Sequence, residues 1–255
     1  MNIKNKFTLI TISYCLLFTI SSVGDDLTTS KHDPIKTYRE RQETAKPEDV
    51  LNWLKQGNKR FSKGKAIHGG YTRDARERRR VSAQSQRPLA VVLSCIDSRT
   101  TPEIIFDTTI GDLFTARVGA NVINKDILGS IEISVASGAK VIVVLGHTDC
   151  GGVKGACRDL DYGNMTQLLE RVKPAIIDTN TILDSNPNLS RLVGERKVEN
   201  PKYVAQVSHT NAQRSAEQIY RESLILKEQV DKGEVILVAA IYDVNSGLVT
   251  FDKIK

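Results

Sequence analysis

Two short aliphatic runs, each closing on reactive side chains, dominate the pattern of apolar and polar positions along the chain. Val91-Val92-Leu93 leads into Ser94-Cys95-Ile96-Asp97-Ser98-Arg99, and Val141-Ile142-Val143-Val144-Leu145 leads into Gly146-His147-Thr148-Asp149-Cys150-Gly151-Gly152. Neither run alternates with polar residues, so both read as strands buried on two faces, as in a parallel sheet. Leu113 to Val118 supplies a further strand, followed by the small-residue loop Gly119-Ala120-Asn121. Val235 to Tyr242 and Leu248 to Phe251 read as a terminal hairpin that turns at Asn245-Ser246-Gly247.

Helical periodicity fills the intervals. It predicts a helix from Pro47 to near Gly64, with Val50, Leu51, Leu54 and Phe61 inward, and a second over Tyr71 to Gln84. A short helix starts at Thr100-Thr101-Pro102-Glu103 with a threonine cap and runs to about Thr108, and another covers Asp126 to Ser137. Met165 to about Ile182 reads as one helix despite Pro174, Asp184 to Glu199 as a polar surface excursion, and Pro201 to Lys232 as one long amphipathic helix. Strands alternating with helices define the expected fold class as α/β, with a mostly parallel central sheet flanked by helices.

A chain of 255 residues, 40% apolar and 26% charged, is expected to bury a single main core. Residues 1–24 are set apart: Lys4 and Lys6 precede an apolar stretch from Phe7 to Ile20, and Ser22-Val23-Gly24 offers small residues before Asp25. That is the layout of a cleaved secretory signal peptide, so the expected location is periplasmic or secreted, without stable membrane insertion after removal. Residues 25–46 lack periodicity and are expected to form a flexible arm, leaving residues 47–255 as the single domain. Losing Lys4 and Lys6 takes the formal charge from +6 to +4. The cluster Arg73, Arg76, Arg78, Arg79 and Arg80 is interspersed with Asp74 and Glu77 and lacks stacking aromatics, so it reads as a solvated helix face; no nucleic-acid partner is expected.

The chemistry gathers where the two aliphatic runs end. If their strands lie side by side and parallel, Cys95, His147 and Cys150 meet in the crevice beyond the carboxyl ends, where open α/β sheets place their sites. Two thiolates and one imidazole form a zinc set that leaves the fourth position to water. Asp97 and Asp149 are the nearest candidates for a fourth protein ligand. Outside the signal segment only Cys157 remains, read as a free thiol on a helix face. Asp97 and Arg99 are spaced to pair, which would keep Asp97 ionised, oriented and off the metal.

Cys95-Ile96-Asp97-Ser98-Arg99 and His147-Thr148-Asp149-Cys150-Gly151-Gly152 together resemble the β-class carbonic anhydrases. Gly57-Asn58-Lys59-Arg60-Phe61, Thr101-Pro102-Glu103, Gly111-Asp112-Leu113-Phe114, Arg117 and Asp126-Ile127-Leu128-Gly129-Ser130-Ile131-Glu132 resemble the bacterial branch, over about residues 47 to 252. The resemblance implies one Zn2+ per subunit on Cys95, His147 and Cys150, with Asp97 and Arg99 as the catalytic dyad. It implies Gln86 as a hydrogen-bond partner of substrate, Phe114 as an apolar wall and Gly151 beside the substrate. It also implies a homodimer or homotetramer, with carbon dioxide and bicarbonate as the small molecules interconverted. Gly119 departs from the bulkier apolar residue some members carry. Hydrolysis of a CO2-like molecule such as carbon disulfide, or a non-catalytic zinc-binding role, remain as alternatives on the same scaffold.

Overall fold

The computed structural model of the chain describes residues 40–68, 73–83 and 85–253, so the expected signal peptide and most of the expected arm lie outside the described residues. Five strands build one sheet in the order β2-β1-β3-β4-β5: β1 is Ala90–Ser94, β2 Leu113–Arg117, β3 Val141–His147, β4 Ile236–Tyr242 and β5 Val249–Lys253. The first four are parallel and β5 closes the edge antiparallel to β4. Every residue of β1 and β3 is buried, which is why their sequences show no alternation. The register sets Ser94 beside Leu145, so the chain leaves β1 at Cys95 close to where His147 ends β3.

Helices cover both faces. On one, Val91, Leu93, Ile142, Val144 and Leu237 pack against Ile131 and Val135 of α4 (Lys125–Ala136), Ala212, Ala216 and Ile219 of α9 (Pro201–Glu222), and Leu226 and Val230 of α10 (Leu224–Asp231). On the other, Ala90, Val92, Val141, Val143 and Val238 pack against Val50 and Leu54 of α1 (Pro47–Ser62) and Ile105 of α3 (Pro102–Ile105). The short helix α2 (Arg73–Ser82) precedes β1. A third apolar cluster sits beyond the strand ends. It joins Cys95, Ala120 and Cys150 to Val153 and Ala156 of α5 (Gly151–Cys157), Leu169 of α6 (Asn164–Glu170), Ala175 of α7 (Lys173–Ser185), Val193 of α8 (Pro187–Val193), and Val204 and Val207 of α9.

Several boundaries differ from those expected. The helix expected over Met165 to Ile182 is two, α6 and α7, because Pro174 stands in the first turn of the second and cannot donate to the turn before it. The long helix expected to Lys232 stops at Glu222; Ser223 is extended, and its hydroxyl accepts from Leu226 N at 3.2 Å to start α10. The expected surface excursion contains α8, capped by Asn186, whose Oδ1 accepts from Leu189 N at 3.0 Å. Helix α3 ends at Ile105 and Thr101 makes no side-chain cap. The end of the expected flexible arm is docked: residues 40–44 are helical, and buried Gln42 donates to Pro88 O at 2.7 Å and Ser137 O at 3.1 Å.

Candidate metal centre

Cys95 follows the last residue of β1, His147 is the last residue of β3, and Cys150 caps α5. The parallel pairing of β1 and β3 therefore gathers all three, as expected. The two sulfurs are 4.0 Å apart, and the ligand atoms of the three residues lie within 4.8 Å of one another. All three side chains are buried.

The imidazole is set for coordination. His147 Nδ1 donates to Thr148 O at 2.9 Å, which leaves the lone pair on Nε2. Nε2 is buried and has no hydrogen-bond partner among the described residues. An orphaned buried nitrogen of this kind costs stability unless something binds it. Two thiols converge beside it, and the Cys2His donor set suits zinc with one position left open. The Cys95 thiol is held well below the ordinary thiol range, to about 4, chiefly by a hydrogen bond from Cys150 and further by His147 and the N–H groups of Asp97 and Ala120, all working against burial. The same contact with Cys95, reinforced by burial, pushes Cys150 up. A dication resolves the conflict by stabilising both as thiolates.

Backbone geometry supports the sulfurs. Ala120 N donates to Cys95 Sγ at 3.2 Å. Ala120 and Asn121 lie in the left-handed region, at φ 53° and 45°, where non-glycine residues are uncommon, and this turn aims the N–H at the sulfur. Ala120 O in turn accepts from Asn211 Nδ2 at 2.7 Å. The buried Thr100 hydroxyl lies 3.0 Å from Cys95 O and 2.9 Å from Asp97 O, both acceptors. Arg117 Nε donates to Cys95 O, and its Nη2 to Asp97 O. Among these supports only Arg117 stands out in the sequence, and then only by resemblance; alanine and threonine carry no signal of such a role.

The expected dyad is formed. Arg99 Nε and Nη2 donate to Asp97 Oδ1 and Oδ2, each at 2.9 Å, and Arg99 N donates to Oδ1 at 3.0 Å. These bonds, led by the side-chain pair, hold the Asp97 carboxyl down to about 2 despite partial burial. Arg99 Nη1 also donates to Asp149 Oδ2 at 3.2 Å, and Lys154 pairs with the same carboxylate. Lys154 and then Arg99 lower the pKa of Asp149. Both candidate fourth ligands are thus engaged by cations, and the donor cluster holds three residues.

The substrate-side residues divide. Gly151 opens α5 directly after Cys150 and is exposed. Phe114 does not reach the cluster within its own chain: it pairs in register with Val91, near the start of β1, and lines an open groove with Val91, Ile127 and Ile133. Gln86 is exposed and precedes β1, at the opposite end of that strand from Cys95. A Cβ on Gly119 would meet Leu168 Cδ1 at 3.0 Å, so Leu168 takes the space a larger residue there would need. Cys157 ends α5, half-buried and free, and burial pushes its thiol up.

Fold and site together define an α/β metalloprotein with a Cys2His centre at the carboxyl edge of a parallel sheet. Residues 90–249 match the family described as Carbonic anhydrase. The chain is 35% identical over 208 residues to a carbonic anhydrase of Mycolicibacterium smegmatis, covering 78% of this chain and 91% of that one. It is 31% identical over 206 residues to carbonic anhydrase 2 of Mycobacterium tuberculosis, covering 78% and 90%. Among solved structures, the β-carbonic anhydrase CafA of Aspergillus fumigatus superposes with a TM-score of 0.60 at 24% identity, covering 80% of this chain and 89% of that one. A tetrameric β-carbonic anhydrase of Sordaria macrospora gives 0.59 at 20% identity, covering 80% and 96%. The chain belongs to the β-class carbonic anhydrase family.

Proposed function

We propose that the protein catalyses the reversible hydration of carbon dioxide to bicarbonate and a proton, with zinc held by Cys95 Sγ, His147 Nε2 and Cys150 Sγ. The observation that carries this reading is the convergence of an unpartnered buried imidazole nitrogen and two thiols beside an aspartate tied back by arginine. Zinc, when bound, supplies Lewis acidity that makes water nucleophilic near neutral pH, chemistry best known from carbonic anhydrases with three histidine ligands. With its pKa near 2, Asp97 accepts a hydrogen bond rather than taking up a proton at neutral pH. One carboxylate oxygen of Asp97 can thereby orient the O–H of an attacking water while Arg99 fixes the carboxylate plane. Of the described histidines, His147 belongs to the metal-ligand cluster and His209 pairs with Asp252.

The proposal extends to assembly and location. A dimer or tetramer would let a second copy supply Gln86 and Phe114; their displacement from the cluster of their own chain and the tetrameric state of the Sordaria macrospora proteins support it. Export to the periplasm or medium is supported by Lys4, Lys6 and the apolar run to Ile20. No helix among the described residues is long and apolar enough to cross a membrane. The test is stopped-flow CO2 hydration with zinc content measured in parallel. Activity should disappear on chelation and return with zinc. A zinc-loaded protein that leaves CO2 untouched but turns over carbon disulfide would overturn the substrate assignment.

A further inference from the structure

Away from the metal centre, a cavity of 270 Å³ lies between the start of α7 and the C-terminal half of α9. Arg171, Arg214 and Arg221 surround it, with Asn211, Ser215 and Gln218 along the α9 wall. Two of these guanidiniums have weak engagement. Arg171 Nη1 donates to Ile123 O at 3.3 Å, and the nearest acid to Arg221 is Glu222 at 3.9 Å. Arg214 is committed to Asp178. Glu217 also borders the cavity, on its exposed rim, so the two weakly engaged guanidiniums face one unpaired carboxylate.

A second observation points into the same space. Ser215 is only 4% exposed and lines the cavity, yet its hydroxyl makes no hydrogen bond among the described residues. Asn211, 2% exposed, spends its Nδ2 on Ala120 O, and its Oδ1 has no partner there. These two unpaired atoms are not sealed from solvent, so both are free to bind a polar occupant that the guanidiniums would also attract. The volume is below that of usual drug-sized pockets, and suits an ion with a few waters.

The geometry points to a binding site for a small, doubly charged oxyanion, of the phosphate or sulfate kind, held by Arg171 and Arg221 with Ser215 donating from the floor. Asn211 belongs both to this cavity and, through Ala120 N, to the support of Cys95 Sγ, so the test leaves Asn211 intact.

Zinc-loaded full chain is titrated calorimetrically with sodium phosphate, ionic strength being fixed with sodium chloride, and again with sodium sulfate. We expect one saturable site per chain for both anions. Arg171→Ala and Arg221→Ala should each weaken phosphate by about tenfold, and the double variant should bind none. Ser215→Ala, which removes one unbonded hydroxyl, should weaken it severalfold. Zinc content and melting temperature should be unchanged in all three single variants, which separates loss of the site from loss of the fold or of the metal centre. Two results overturn the proposal: no saturable heat beyond that of chloride, or phosphate binding that survives the double variant and vanishes on zinc removal, which places the anion at the metal.

Discussion

Arg117 Nε donates to the carbonyl oxygen of Cys95 at 3.0 Å, across the seam between β2 and β1. Its Nη2 reaches Asp97 O at 2.6 Å, so one guanidinium binds the backbone of a metal ligand to that of the dyad carboxylate. The rigid fork of arginine matches two carbonyls at once, whereas an ammonium is a single mobile point. Arg117→Lys should therefore lower zinc affinity by about tenfold, the smaller end of what outer contacts to a metal site contribute. Competition with a chromophoric chelator measures it. Hydration should remain depressed at full zinc loading because the Asp97 backbone is also released.

The second prediction concerns Arg99, whose Nε and Nη2 take separate oxygens of Asp97. Arg99→Lys keeps the charge and loses the bidentate grip. Zinc content should be unchanged, since Arg99 touches no ligand side chain. The turnover number should fall by about a hundredfold, the cost of a small misplacement of a positioning group, with a smaller change in KM. Equal losses of zinc and activity would refute a role in orientation.

What was legible in the chain follows from where information is local. β1 and β3 announce themselves as uninterrupted aliphatic runs because both their faces are buried, and parallel pairing then brings Cys95, His147 and Cys150 together. The break at Ser223 was hidden because apolar periodicity continues through it into α10, while the Ser223 hydroxyl bonds to Glu132, a residue of α4. Ala120 was illegible for another reason: its contribution is a main-chain N–H aimed by a left-handed turn, and the side chain says nothing of it. The functional grouping of Gln86 and Phe114 with the metal is not met inside one chain, because strand direction sends them to the other end of β1.

Asp107 should contribute to the acid sensitivity of the fold, away from the metal centre. This residue is 2% exposed and accepts from Ile67 N at 2.9 Å, His68 N at 2.8 Å and Arg60 Nε, tying the segment after α1 to the end of α3. Burial raises its pKa, but the bonds from His68, Arg60 and Ile67 together outweigh it and leave the carboxyl below the usual range. A folded pKa below the unfolded one means that the unfolded chain binds more protons at acid pH. The stabilisation is present above the ordinary aspartate value of about 3.9 and is lost as pH falls through the lower folded value. Asp107→Asn should flatten the fall in stability below about pH 4 and reduce stability at pH 7 by roughly 2 kcal/mol, the loss of hydrogen bonds to a charged group. Asparagine tolerates the φ of 46° found there, so the effect reports charge and not backbone strain. Urea denaturation at pH 2 to 7 is the measurement.

The last prediction tests the packing that holds α1 on the sheet. Gly57 sits inside α1, where glycine normally weakens a helix, and no positive φ requires it. The reason is contact: a Cβ there would lie 1.8 Å from the carbonyl oxygen of Phe106. That oxygen is backbone and cannot rotate away, so α1 would have to lift from the turn after α3. The next side chain on the same helix, Asn58, donates to Ile105 O at 3.2 Å and Gly247 O at 2.9 Å, and its Oδ1 accepts from Val249 N at 2.9 Å. Lifting the helix therefore breaks buried hydrogen bonds that reach β5. Gly57→Ala should destabilise the protein by about 3 kcal/mol or more, the upper range for overpacking, despite alanine's better helix propensity. A melting temperature equal to or above that of the parent would show that the helix can shift freely and that this contact does not set its position.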